Sequence, residues 1–177
     1  MFYFKRNPFL LRQLYKNSLL WQLPHSSDVV YLTFDDGPTP ELTNQILEIL
    51  KTHNAKATFF CVGENIERHP ELFNQIIKNG HSVGNHTYNH LNAWKTDSDF
   101  YLKNVEKAAE IIPSKLFRPP YGRITPKLIN MLKDKFQIVM WTVLSGDFDA
   151  NTNPNKCFEN ATSKTKAGDI LVFHDNL

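Results

Sequence analysis

Apolar and polar positions along this chain switch between two periods. Val29–Phe34 (VVYLTF) is a short β-branched and aromatic run that stops at Asp-Asp-Gly-Pro, so a buried strand running into a turn is predicted. Over Thr39–His53 the period changes, with Leu42, Ile46, Leu47, Ile49 and Leu50 at helical spacing. Ala57–Gly63 (ATFFCVG) reads as a second buried strand. Pro70–Asn79 returns to the helical period through Leu72, Phe73, Ile76 and Ile77, with Gly80 placed to cap it. Further on, strands are predicted at Ser82–Asn85, Lys115–Arg118, Phe136–Val143 and Asp169–Phe173. Helices are predicted at Asp97–Ile112, Thr125–Lys133 and Asn155–Lys166. Six or seven strands alternating with helices predict a parallel α/β sheet, open or closed into a barrel.

Composition works by exclusion. The 177 residues suit one domain with a real core. Net charge is +2 and the basic residues are scattered, which excludes a nucleic-acid footprint. Cys61 and Cys157 form no Cys-x-x-Cys pair and read as free thiols, one in a strand and one near the surface. Met1–Leu23 is rich in Phe and Leu, but Arg12 and Lys16 interrupt it and no small-x-small cleavage site follows. An ordinary secretory signal is therefore not expected, and no apolar run is long enough for a transmembrane helix. Residues 1–28 are read as an N-terminal extension packing on a domain over 29–177, with an interfacial helix as the alternative. Cell envelope and cytoplasm both stay open.

Candidate chemistry falls at the C-terminal ends of the predicted strands, where parallel α/β folds build their sites. Asp35 and Asp36 follow the first strand; taken alone, Asp-Asp-Gly-Pro is also a plain surface turn. Carboxylates are both hard ligands and general bases, so one can bind metal while its neighbour takes a proton. His86 and His90 lie four residues apart, which on a helical turn puts both imidazoles on one face. Two His and one Asp leave coordination positions open for water, the mark of a catalytic metal site. His86 and His90 are thus read as ligands, with Asp36 the third. Arg118-Pro119-Pro120-Tyr121-Gly122 is a rigid turn in which Arg118 can hold a carboxylate and a backbone N–H can face an oxyanion. His174 ends the last strand, and Asp147 or Asp149 could be its acidic partner.

TFDDGP (Thr33–Pro38), HTYNH (His86–His90), RPPYG (Arg118–Gly122) and LVFH (Leu171–His174) stand in the order seen in the polysaccharide deacetylases. The chain resembles that family, carbohydrate esterase family four, from about Val29 to Asp175. The resemblance implies a distorted (β/α) barrel of about seven parallel strands. It implies a divalent metal, most often zinc, with cobalt or another divalent ion as alternatives. It implies that Asp35 is the general base and that Asp36, His86 and His90 hold the metal. Arg118 would orient Asp35, the Tyr121 N–H would stabilise the oxyanion, His174 would be the general acid, and Asp147 would be its partner. The implied activity is removal of N-acetyl groups from a polysaccharide containing N-acetylglucosamine: peptidoglycan, a chitin oligomer or an exopolysaccharide.

Two features depart from the family pattern. Leu144 stands where many members have an acid, and Phe148 where they have Trp. The sequence also ends at Leu177, where members continue with a helix, so the expectation is either a truncated sequence or a barrel closed differently, without that helix. The alternatives are an acetyl-xylan-type esterase or other amide hydrolase, and a non-catalytic carbohydrate- or metal-binding module.

Overall fold

The computed structural model describes residues 9–24 and 28–176. Parts of the expected extension over 1–28 thus lie outside the described residues. In chain order the elements are α1 (Phe9–Leu14), β1 (Leu19–Leu20), β2 (Tyr31–Asp35), α2 (Pro40–Thr52), β3 (Thr58–Cys61), α3 (Gly63–Arg68), α4 (Pro70–Lys78) and β4 (Ser82–Asn85). They continue with α5 (Ser98–Ala109), β5 (Leu116–Phe117), a 3-10 turn (Pro120–Gly122), α6 (Pro126–Leu132), β6 (Gln137–Val139), β7 (Val143–Leu144), α7 (Pro154–Thr162) and β8 (Ile170–His174).

The strands form one parallel sheet of eight in the order β1-β6-β5-β4-β3-β2-β8-β7. Leu20 of β1 and Ile170 of β8 come from strands far apart in that order, yet both pack with Phe60, Leu116 and Val139 in one cluster. The sheet is therefore curled into the distorted barrel that the resemblance implies. The period-2 alternation of a strand divides its side chains between the two faces. Phe59 packs with Leu47, Leu50, Ile66, Leu72 and Ile76 under α2–α4, while its neighbour Phe60 points into the barrel.

The helices form where the 3.6-residue period offers one apolar face. Buried Tyr101, Asn104, Val105 and Ala108 line one side of α5, which starts at Asp97, whose carboxylate accepts from the Asp99 and Phe100 N–H groups. Fully burying side chains such as Leu128, Leu132 and Ile138 in the second cluster stabilises by about 1.5–3 kcal/mol each.

One expectation is corrected here. Phe136–Val143 is not a single strand: it splits into β6 and β7, with 140–142 crossing between them. The Met140 N–H bonds the Leu20 carbonyl on one side, and the Thr142 N–H bonds the Ile170 carbonyl on the other. These residues stitch the two margins of the curled sheet together, and that buried role keeps the sequence apolar through the break. Two elements have no counterpart in the sequence reading, β1 and α3, while the short α1 falls within the segment for which a helix is the alternative.

Candidate active site

Arg118, fully buried at the end of β5, organises the C-terminal edge of the sheet. Its Nη1 donates to Asp35 Oδ1 and to Thr33 Oγ1, each at 2.7 Å. Nη2 and Nε donate to the Met140 and Val139 carbonyls at 3.1 and 3.3 Å. The guanidinium lies 4.1 Å over the Phe60 ring. Burial lowers the guanidinium pKa, and the charge and hydrogen bond of Asp35 offset only part of that. Asp35 is thus locked by a charge-assisted bond at the end of β2.

Asp36 follows at the turn, where its backbone adopts φ 84°. Its Oδ1 lies 3.3 Å from His86 Nε2 and 3.0 Å from His90 Nε2. One ligand atom from each of the three residues falls within 4.8 Å of the others. His86 Nδ1 sits 2.7 Å from the Arg118 carbonyl, which can only accept, so Nδ1 carries the hydrogen. The Nε2 lone pair then faces the Asp36 oxygen, and two acceptors at that distance call for a cation between them.

The two imidazoles do not converge through a helix, contrary to the expectation. Residues 86–90 form an irregular loop after β4, with Thr87 at φ 64° and His90 at φ 55°. Left-handed backbone costs a non-glycine residue about 1–3 kcal/mol and persists only where the surroundings impose it. Two buried asparagines impose it here. Asn85 Oδ1 accepts from the Thr87 N–H at 2.8 Å, and Asn104 Oδ1 accepts from Tyr88 and Asn89 at 2.8 and 3.1 Å. Among the described non-glycine residues with positive φ, Asp36, Thr87, His90 and Tyr121 belong to this edge, and only Asn54 lies elsewhere.

Tyr121 has φ 60°, and its ring packs 4.7 Å from that of His90. The bonds that close its turn come from the Gly122 and Arg123 N–H groups, not from its own. On the far side of the edge, His174 Nδ1 lies 2.7 Å from Asp147 Oδ1, while Asp147 Oδ2 accepts from the His174 N–H at 2.7 Å. Burial works to lower the His174 pKa; the Asp147 hydrogen bond, with the charges of Asp35, Asp147 and Asp36, raises it above its ordinary value. Asp149 is not the partner: its carboxylate bonds Asn151. Phe148 packs edge-on against His174 at 5.0 Å, and Leu144 is buried in β7.

A polysaccharide deacetylase family model matches residues 22–136. The chain belongs to the polysaccharide deacetylase family. It is 36% identical over 168 residues to a peptidoglycan-N-acetylglucosamine deacetylase of Bacillus cereus, covering 88% of this chain and 76% of the relative. It is 31% identical to a chitooligosaccharide deacetylase of Azorhizobium caulinodans, covering 87% and 77%. The solved peptidoglycan N-acetylglucosamine deacetylase Bc1960 superposes with a TM-score of 0.87 at 34% identity, over 96% of this chain and 81% of that one. A pseudoenzyme of carbohydrate esterase family four from Bacillus anthracis is also similar, with a TM-score of 0.77 at 26% identity, over 88% and 58%. The chain spans between 32% and 77% of the length of its curated relatives.

Deacetylases of this family are metal-dependent hydrolases, and the Asp36-His86-His90 set of this deacetylase fits a divalent ion. Two imidazole nitrogens and one carboxylate oxygen suit zinc and leave positions open for water. The sequence reading missed the residues that hold this set in place. The buried Asp175 carboxylate accepts from the Gly37 N–H at 2.8 Å and from Thr43 Oγ1 at 2.6 Å, tying β8 to the Asp36 turn. A Cβ on Gly37 would lie 2.0 Å from Asp175 Oδ2, so the turn admits no side chain there. Asn176 donates to Asp36 Oδ2 at 2.8 Å, and Asn65 to the Asp36 carbonyl at 2.7 Å. Asp175 directly after His174 was the one local signal available.

Proposed function

We propose that this deacetylase removes N-acetyl groups from a polysaccharide containing N-acetylglucosamine, releasing acetate. The observation that carries the reading is one sheet edge holding an Arg118-locked carboxylate, an Asp-His-His set and an Asp147-paired imidazole. Asp36, His86 and His90 would hold a divalent ion, zinc by their chemistry. Such an ion lowers the pKa of a bound water and polarises the acetamide carbonyl.

The chain's own residues divide the remaining work. Asp35, held as the acceptor by Arg118, takes a proton from the attacking water. The Tyr121 N–H, left over by its own turn, meets the oxyanion of the tetrahedral intermediate. His174, kept protonated by Asp147, donates to the departing amine, a poor leaving group until it is protonated. Peptidoglycan and chitin oligomers are the substrates named for the similar enzymes, and both enter the test.

The test is acetate release from both polymers by the parent protein and by Asp35→Asn, each loaded with zinc. Turnover by the parent that falls roughly 10²-fold or more in the variant, at unchanged zinc content, is expected. An Asp35→Asn protein as active as the parent overturns the base assignment.

A further inference from the structure

Beyond the metal set, three neighbouring side chains form a surface that the proposed chemistry does not use. Trp94 is 64% exposed, and the Arg123 guanidinium lies 4.9 Å over its ring. The same guanidinium lies 5.9 Å from the Tyr121 ring, which packs on His90. A continuous path of contacts thus runs outward from the His90 imidazole through Tyr121 and Arg123 to Trp94. The platform is built in place. Asn92 Oδ1 accepts from the Trp94 N–H at 3.0 Å, the Asn92 carbonyl accepts from Lys95 and Thr96, and Trp94 Nε1 reaches the Ile124 carbonyl at 3.5 Å. Arg123 forms no ion pair among the described residues, whereas nearby Lys127 is paired with Asp99 at 3.6 Å.

We propose that Trp94 and Arg123 form a subsite for the sugar next to the one deacetylated, and that it selects a sugar bearing a carboxylate. The proposal takes the polymer substrate of the functional reading as its starting point. An exposed indole offers a flat apolar face to the ring C–H groups of a sugar. A guanidinium pre-oriented by stacking, with no carboxylate of its own, offers a fork to an anionic substituent. A neutral chitin-type neighbour would use the indole alone.

The test uses zinc-loaded protein and three glycans: a chitin oligomer, peptide-free peptidoglycan strands in which alternate sugars carry a carboxylate, and the same strands with those carboxylates converted to amides. Arg123→Gln is expected to raise KM about ten-fold on the carboxylated strands, leave kcat unchanged, and leave KM unchanged on the other two glycans. Trp94→Ala raises KM on all three. Arg123→Lys, which keeps the charge but not the planar fork, restores only a small part of the loss. Should Arg123→Gln fail to fold, the parent alone decides, with a KM about ten-fold higher on the amidated strands expected. Binding of the same glycans to zinc-loaded Asp35→Asn protein separates the two readings. Arg123-dependent binding without acetate release by the parent retains the platform and sinks the deacetylase reading. Acetate release with no distinction between carboxylated and amidated strands sinks the platform and leaves that reading standing.

Discussion

Two imidazole–carboxylate contacts stand on the same sheet edge and are wired through opposite nitrogens. In His86 the protein takes Nδ1 with the Arg118 carbonyl, so Nε2 presents a lone pair to Asp36. In His174 it takes Nδ1 with a carboxylate, so the ring is pushed toward its charged form. In this site the carbonyl behind His86 fixes a neutral tautomer with Nε2 free to bind, and the carboxylate behind His174 favours that ring's charged form. The two sites also differ in how they are held. His86 and His90 hang on a strained loop secured by Asn85 and Asn104, while His174 continues an unstrained strand, β8, in register with Asp35.

The contrast breaks most completely at the ligands. His90→Gln should lose the bound zinc and all measurable acetate release together, read by metal analysis beside the activity assay. His174→Gln should behave differently: kcat falls roughly 10²–10⁴-fold while zinc stays at one equivalent. Loss of zinc in that variant would erase the distinction between the two imidazoles.

Asp147→Asn sharpens the comparison with a smaller effect. In the proposed mechanism His174 acts protonated, and its raised pKa keeps that form present above its ordinary value, so activity should be lost as pH rises through the raised pKa. Burial alone would lower that pKa; removing Asp147 takes away the main influence opposing it. The alkaline limb of the rate profile should therefore move to lower pH, with a modest drop in kcat at neutral pH. A limb that stays in place would show that another group sets it.

The smallest effect on turnover, and a distinct one on stability, is expected at Asp175. Burial, only partly offset by Thr43 and Gly37, pushes its carboxyl up from 3.8 to about 7. The folded protein thus holds a proton that the unfolded chain has released, and metal-free protein should lose stability as pH rises between those values. Asp175→Asn should remove that slope in thermal unfolding across the same range.

The division between legible and illegible follows from the range of the interactions. Strand ends and the residues that cluster at them could be read because the two hydrophobic periods and the residue types of TFDDGP, HTYNH, RPPYG and LVFH are local properties. The loop that brings His86 to His90 could not, since left-handed Thr87 and His90 are imposed by Asn85 and by Asn104 of α5. The split at 140–142 was hidden because residues crossing the barrel seam are as apolar as a strand. Asp175, Asn176 and Asn65 escaped notice because each acts through a bond to a residue remote in sequence. Helix α3 is six residues long, begins at Gly63 and carries too short an apolar period to announce itself.

The most direct measurement is acetate release from peptide-free peptidoglycan strands by protein stripped of metal and then reloaded with zinc. The structure leads to the expectation of no release from the stripped protein and full recovery at one equivalent of zinc. Equal release with and without metal would contradict the role given to Asp36, His86 and His90.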